Sequence, residues 1–167
     1  MTLAFLWRTW TSAVVLALVA GCATAPKPTA PSQAQTEGPW NGRLALQVKD
    51  RPEQSFSAMF ELKGNAQAGE LTLSNPIGGT VAALQWAPGS ATLRSNGQTH
   101  EYESVDALVQ QATGTAIPVG ALFDWLRGVA TPVPGWRADL SQLGDGRISA
   151  TRMDPPPEAS LRVAIDR

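Results

Sequence analysis

From Trp40 onward, apolar and polar residues alternate with a period of two, the signature of a strand buried on one face. Leu44, Leu46 and Val48 alternate with Arg43, Ala45, Gln47 and Lys49. After Arg51-Pro52-Glu53 the alternation resumes with Phe56, Ala58, Phe60 and Leu62. Gly64 to Gly69 reads as a turn, and Leu71 and Leu73 carry the next strand. Gly79 to Ala87 reads as a fourth strand, ended by Pro88-Gly89. Ala91–Arg94 and Gln98–Glu103 flank Ser95-Asn96-Gly97, a hairpin signal. Six strands joined by short turns predict an antiparallel meander.

At Ser104 the period changes to that of a helix. Ser104 suits an N-cap, and Asp106 suits the first turn. Val105, Leu108, Val109 and Ala112 form one stripe, which Gly114 ends. Ile117 to Gly120 reads as a connector, and Ala121–Arg127 as a second short helix rich in Leu122, Phe123, Trp125 and Leu126. Strands are expected again at Trp136–Leu140, Arg147–Thr151 and Leu161–Asp166, with Pro155-Pro156-Pro157 between the last two.

A twisted sheet of this size curls, and its concave apolar face needs a cover. Leu108, Phe123, Trp125 and Leu126 suit that task. Two outcomes fit the pattern, and the first, a filled core, is the ordinary expectation. The side chains fill a solid core, or a partly closed sheet under a helical lid keeps an apolar space for a greasy ligand.

The turn Asn75-Pro76-Ile77-Gly78-Gly79 breaks the pattern. Asn, Pro and Gly are ordinary turn residues. Ile77 is large, apolar and β-branched. Either it folds back onto the core, or it projects into something that is not water.

The first residues have a different character. Arg8 supplies a positive charge, Ser12 to Ala20 is a short apolar run, and small residues follow, the layout of a secretory signal. The run is too short for the ~20 residues that cross a bilayer. Ala23-Thr24-Ala25 fits an ordinary signal-peptidase site. Val19-Ala20-Gly21-Cys22 resembles the bacterial lipobox, cut just before the cysteine. The second reading explains more, because Cys22 is the only cysteine and has no partner in the chain. It divides the chain into a signal peptide at 1–21, a lipidated Cys22 with a Pro-rich tether to Gly38, and a folded domain at 39–167. Fully extended at ~3.1 Å per residue, the tether from Ala23 reaches about 50 Å. Multiple acyl chains on Cys22 anchor stably. Ala23 is not the Asp associated with inner-membrane retention, which favours the outer membrane.

Composition narrows the function classes. With 43% hydrophobic and 16% charged residues, the chain is globular rather than disordered. A net charge of −1 leaves no basic excess for nucleic acid. His100 is the sole histidine, and no second His or Cys is at hand for zinc. Glu101, Glu103 and Asp106 read as a solvated strand end and helix start. Nothing resembles a nucleophile elbow, a phosphate loop or a dinucleotide fingerprint. No enzyme reading, metal or cofactor has positive support, apart from the covalent acyl and diacylglycerol groups expected on Cys22.

Taken together, the lipobox, Gly42-Arg43 after Trp40, the stretch Leu71-Thr72-Leu73-Ser74-Asn75-Pro76-Ile77-Gly78, the run Thr113-Gly114-x-x-Ile117-Pro118, the run Leu122-Phe123-x-Trp125-Leu126-x-Gly128 and the final Leu161-Arg162-Val163-x-Ile165-Asp166 resemble the LolB family. The resemblance covers essentially the whole mature domain. It departs in a shorter stretch between Trp136 and Leu161, as if a strand or hairpin were lost around Gly144–Pro157. It implies an unclosed antiparallel β-barrel with an α-helical lid over an apolar cavity for acyl chains. Leu44, Leu46, Phe56, Phe60, Leu71, Leu73, Leu108, Phe123, Trp125 and Leu126 are the cavity and lid candidates. The resemblance also implies a membrane-inserting loop at Asn75, Pro76, Ile77 and Gly78. The implied function is that of a monomeric receptor, lipid-anchored in the inner leaflet of the outer membrane and facing the periplasm. Its partners would be a LolA-type carrier with lipoprotein cargo, the cargo's acyl chains and outer-membrane lipid. The alternative is a LolA-like periplasmic carrier that holds lipid without inserting it.

Overall fold

The computed structural model describes residues 37–166. The expected signal segment, Cys22 and the tether up to Thr36 lie outside the described residues. Nine strands form one antiparallel sheet in the order β6-β5-β4-β3-β2-β1-β9-β8-β7. They are β1 (Glu37–Val48), β2 (Phe56–Gly64), β3 (Gly69–Ser74), β4 (Thr80–Ala87), β5 (Ser90–Ser95), β6 (Gln98–Tyr102), β7 (Trp136–Asp139), β8 (Arg147–Arg152) and β9 (Ala159–Ile165). The first six form the expected meander. The last three form a second meander, and β9 returns to pair with β1. The interval between Trp136 and Leu161 thus keeps a hairpin, β7 with β8.

β1 begins at Glu37, two residues before the expected domain boundary. Glu37 lies opposite Gly64 across β2. Ladder pairing uses backbone groups, so the polar composition of this stretch does not mark the strand.

The period-two pattern sets one apolar face. Across the ladders, Leu93 faces Leu84, Leu84 faces Leu71, and Leu71 faces Leu62. On the other side of β1, Leu44 faces Val163, which faces Ile148. Residues opposite one another share a face, so these rows build a continuous apolar surface.

β6 and β7 are the two edges, and they do not pair with each other. The sheet is therefore an unclosed half-barrel. The chain must travel between those edges, and both helices lie on that connection. They are α1 (Val105–Thr113) and α2 (Val119–Leu126). Ser104 caps α1, its hydroxyl accepting the Ala107 N–H at 3.1 Å. α2 starts at Val119, directly after Pro118 and inside the expected connector. Six of its eight residues are buried.

The helices cover the concave face. Phe123 is 1% exposed and meets the edges of Trp40 and Trp86, with ring centroids 5.7 and 6.2 Å away. Trp125 packs near Trp136, and its Nε1 donates to the Thr131 carbonyl at 3.1 Å. Burying a side chain the size of Phe contributes roughly 1.5–3 kcal/mol, so these two residues fasten the lid to the sheet.

Candidate functional site

The lid does not fill the half-barrel. A cavity of about 390 Å³ remains between the sheet and the helices. Its sheet wall includes Leu44, Phe56, Leu62, Leu71, Leu73, Leu84 and Leu93. Its lid wall includes Val105, Val109, Ala112, Ile117, Val119 and Leu122. The polar residues on the wall are Ser57, Ser95 and Thr113. The Thr113 hydroxyl already bonds to the Val109 and Thr115 carbonyls, both at 2.8 Å. The wall carries no charged side chain. Such a space accepts hydrocarbon and offers little to a polar reactant.

Of the ten cavity and lid candidates, Leu44, Phe56, Leu71 and Leu73 line this space. Phe60, Leu108, Phe123, Trp125 and Leu126 belong to the packed core instead. Leu46 is 0% exposed in a separate small cluster with Val48 and Ala159. From α1 the cavity takes Val105, Val109 and Ala112, the part of the apolar stripe that leaves out Leu108, and from α2 and the connector before it Ile117, Val119 and Leu122. The spacing Val105–Val109–Ala112 was the available signal, at i, i+4 and i+7 on one face.

The second feature is the loop between β3 and β4, the hairpin that also walls the cavity. Ile77 is 93% exposed. Of the two orientations open to it, it takes the outward one. A Cβ at Gly78, whose φ is +87°, would meet nothing within 4 Å, so the loop tip stands clear of the protein. Val81, 49% exposed, lies at the base of the loop and on the cavity wall.

Asn75 holds the loop together. Its side-chain oxygen accepts the N–H of Ile77 at 3.1 Å and of Gly79 at 2.8 Å. Its carbonyl accepts the N–H of Gly78 at 3.0 Å, and its own N–H donates to the Gly79 carbonyl at 2.8 Å. Pro76 has no N–H. Every backbone donor from Asn75 to Gly79 is therefore satisfied within the loop. That closure is worth most where water is absent, because unpaired donors in hydrocarbon cost several kcal/mol each.

The remaining polar candidates do not converge. His100, Glu101, Glu103 and Asp106 are exposed. Among the described residues, no group of three His, Cys, Asp or Glu side chains is placed to hold a metal ion. Arg127 pairs with Asp124 at the end of α2, and Arg94 is exposed on β5.

Comparison with known proteins points the same way as this geometry. The family model for the outer membrane lipoprotein LolB matches residues 39–154. The outer-membrane lipoprotein LolB of Bordetella petrii is 33% identical, over 96% of this chain and 94% of the relative. That of Bordetella bronchiseptica is 37% identical over the same shares. That of Chromobacterium violaceum is 31% identical over 77% of this chain and 71% of the relative.

Proposed function

The chain belongs to the LolB family of outer-membrane lipoproteins, and from that membership we propose that it receives lipoproteins from a LolA-type periplasmic carrier and inserts them into the inner leaflet of the outer membrane. The cargo's acyl chains enter the apolar cavity under the lid. Each buried methylene contributes about 0.8 kcal/mol, so a cavity that covers more of the chains draws them from one that covers fewer. No covalent step is needed. Acyl groups on Cys22 hold the receptor at the membrane.

The observation that carries this reading is the loop. A fully projecting Ile77, on a backbone whose donors are all closed within the loop, is costly to explain in water and well suited to hydrocarbon. It sits on the same hairpin as the cavity wall, so the site that holds acyl chains and the site that enters lipid are one piece.

Ile77→Glu tests it. A carboxylate in bilayer hydrocarbon costs a few kcal/mol, whereas at this exposed position it costs the fold little. The variant is expected to fold, to bind acylated cargo, and to fail to pass it to vesicles. Loss of folding would make Ile77 a structural residue and sink the proposal. Undiminished transfer would leave the chain a cavity protein whose loop has no part in insertion.

A further inference from the structure

The outer face of the sheet carries a second feature that the cavity and the loop do not use. Arg43 and Arg147 both lie opposite Ala164, in one cross-strand row. Arg162 lies opposite Ala45 and Ser149 in the next row, two residues along. Rows that share a face put all three arginines on the outside. Arg43 and Arg147 are two strand spacings apart, about 10 Å, and Arg162 is on the strand between them. Together they border a groove of about 460 Å³ whose floor is small: Ala45, Ser149 and Ala164.

The three arginines are exposed and make no ion pair among the described residues. The groove's one carboxylate, Asp139, is turned to the Ser141 N–H at 2.9 Å. Like charges at this spacing repel until an anion joins them. Guanidinium groups meet phosphate oxygens in a bidentate fork, and a floor without large side chains lets a phosphate approach all three.

The register links this groove to the loop. The row holding Arg147, Ala164 and Arg43 continues through Met59 to Ser74, the residue just before Asn75. Arg43 is therefore only about 10 Å across the sheet from the root of the inserting loop.

We propose that this groove seats the phosphate of an anionic phospholipid headgroup while Ile77 is in the bilayer. The inference rests on the reading of the loop as membrane-inserting. The loop would supply depth, and the arginines would set the tilt of the domain on the surface.

Arginine-specific modification with phenylglyoxal, read by peptide mass spectrometry, tests it. The full chain is extracted from cell membranes and reconstituted in vesicles of phosphatidylcholine, alone or with one-fifth phosphatidylglycerol. Arg94, on the outer face of β5, is the internal control. Modification of Arg43, Arg147 and Arg162 is expected to slow roughly fivefold in the anionic vesicles, with Arg94 unchanged. Equal rates in both vesicles would overturn the proposal. So would slowing at Arg94 to the same degree, which is general surface attraction. Equal protection by inorganic phosphate over phosphatidylcholine alone would make this a site for a free anion and would also overturn it. A carrier-dependent protection without anionic lipid would assign the groove to an acidic protein surface instead. The loop reading is judged separately, by cargo transfer from Ile77→Glu into phosphatidylcholine vesicles, where the arginines have no anionic partner.

Discussion

The side-chain oxygen of Asn75 accepts the backbone N–H of Ile77 at 3.1 Å, so the residue that shapes the loop also closes the donor behind its projecting side chain. The same oxygen takes the Gly79 N–H. In Asn75→Ala both donors open. In water they are solvated, and the loss is held to about 1 kcal/mol of stability. In hydrocarbon each costs several kcal/mol. Transfer of lipoprotein to vesicles is expected to fall by more than about tenfold, with the denaturant midpoint little changed. Parallel losses in both measurements would make Asn75 a folding residue. Asn75→Asp keeps the acceptor but adds a charge, so it is not expected to restore transfer.

The cavity predicts a different phenotype. Ala82 lies on β4, opposite Leu73, and faces the cavity. Ala82→Trp puts an indole into existing space, so the fold is expected to tolerate it. Displacing two or three methylenes of a bound acyl chain removes about 2 kcal/mol, roughly thirtyfold in affinity. Titration with a fluorescent fatty-acyl probe measures this. Unchanged affinity would mean that acyl chains do not use this space.

Much of this was legible before the structure. Period-two alternation marked β1, β2 and β3, turn signals bounded the later strands, and the switch to helical spacing at Ser104 marked the helices. Ile77 stood out because a β-branched apolar residue in a solvated turn contradicts its surroundings. Register was not legible, and register decides the rest. Alternation marks Arg43 and Arg162 as outward residues, but only the return of β9 to β1 brings Arg147 beside them. The cavity wall was half legible for a related reason. An apolar stripe shows which side of a helix is buried. It does not show whether a residue meets side chains, as Leu108 does, or a void, as Val109 does. Glu37 joined β1 through backbone pairing that leaves no trace in side-chain pattern.

The end of α2 is where pH is expected to act on the stability of the lid. The Thr131 hydroxyl donates to the Asp124 carboxylate at 2.6 Å, and Arg127 pairs with the same carboxylate. The Thr131 bond is the main reason the Asp124 carboxyl titrates below its ordinary value, with Arg127 adding to it. A depressed carboxyl contributes stability above its unfolded pKa of about 3.9 and loses it as pH falls through the folded value. Thr131→Val is expected to cost about 1 kcal/mol near neutral pH, reduced from a buried charged hydrogen bond because Asp124 is partly exposed. The gap between variant and parent is expected to narrow below pH ~4. Denaturant midpoints measured across that range check it, and a gap independent of pH would assign the loss to packing alone.

Gly42 is where the two meanders join. It pairs with Phe60 on β2 and with Ile165 on β9. A Cβ at Gly42 would lie 1.9 Å from the Ala164 carbonyl oxygen, which is backbone and cannot rotate away. Gly42→Ala therefore has to push β9 off β1. That seam carries Leu44 against Val163 and Leu46 against Leu161, so the separation opens the core beneath the lid. The expected cost exceeds about 3 kcal/mol, a large share of a small domain's stability. Hydrogen exchange is the direct measurement. Amides of β9 and β8 are expected to lose protection first, because they are held to the first meander only through this seam. Amides of the β3–β4 hairpin are expected to lose it last. Uniform loss across all nine strands would mean that the half-barrel opens as one unit and that Gly42 is not its weak point.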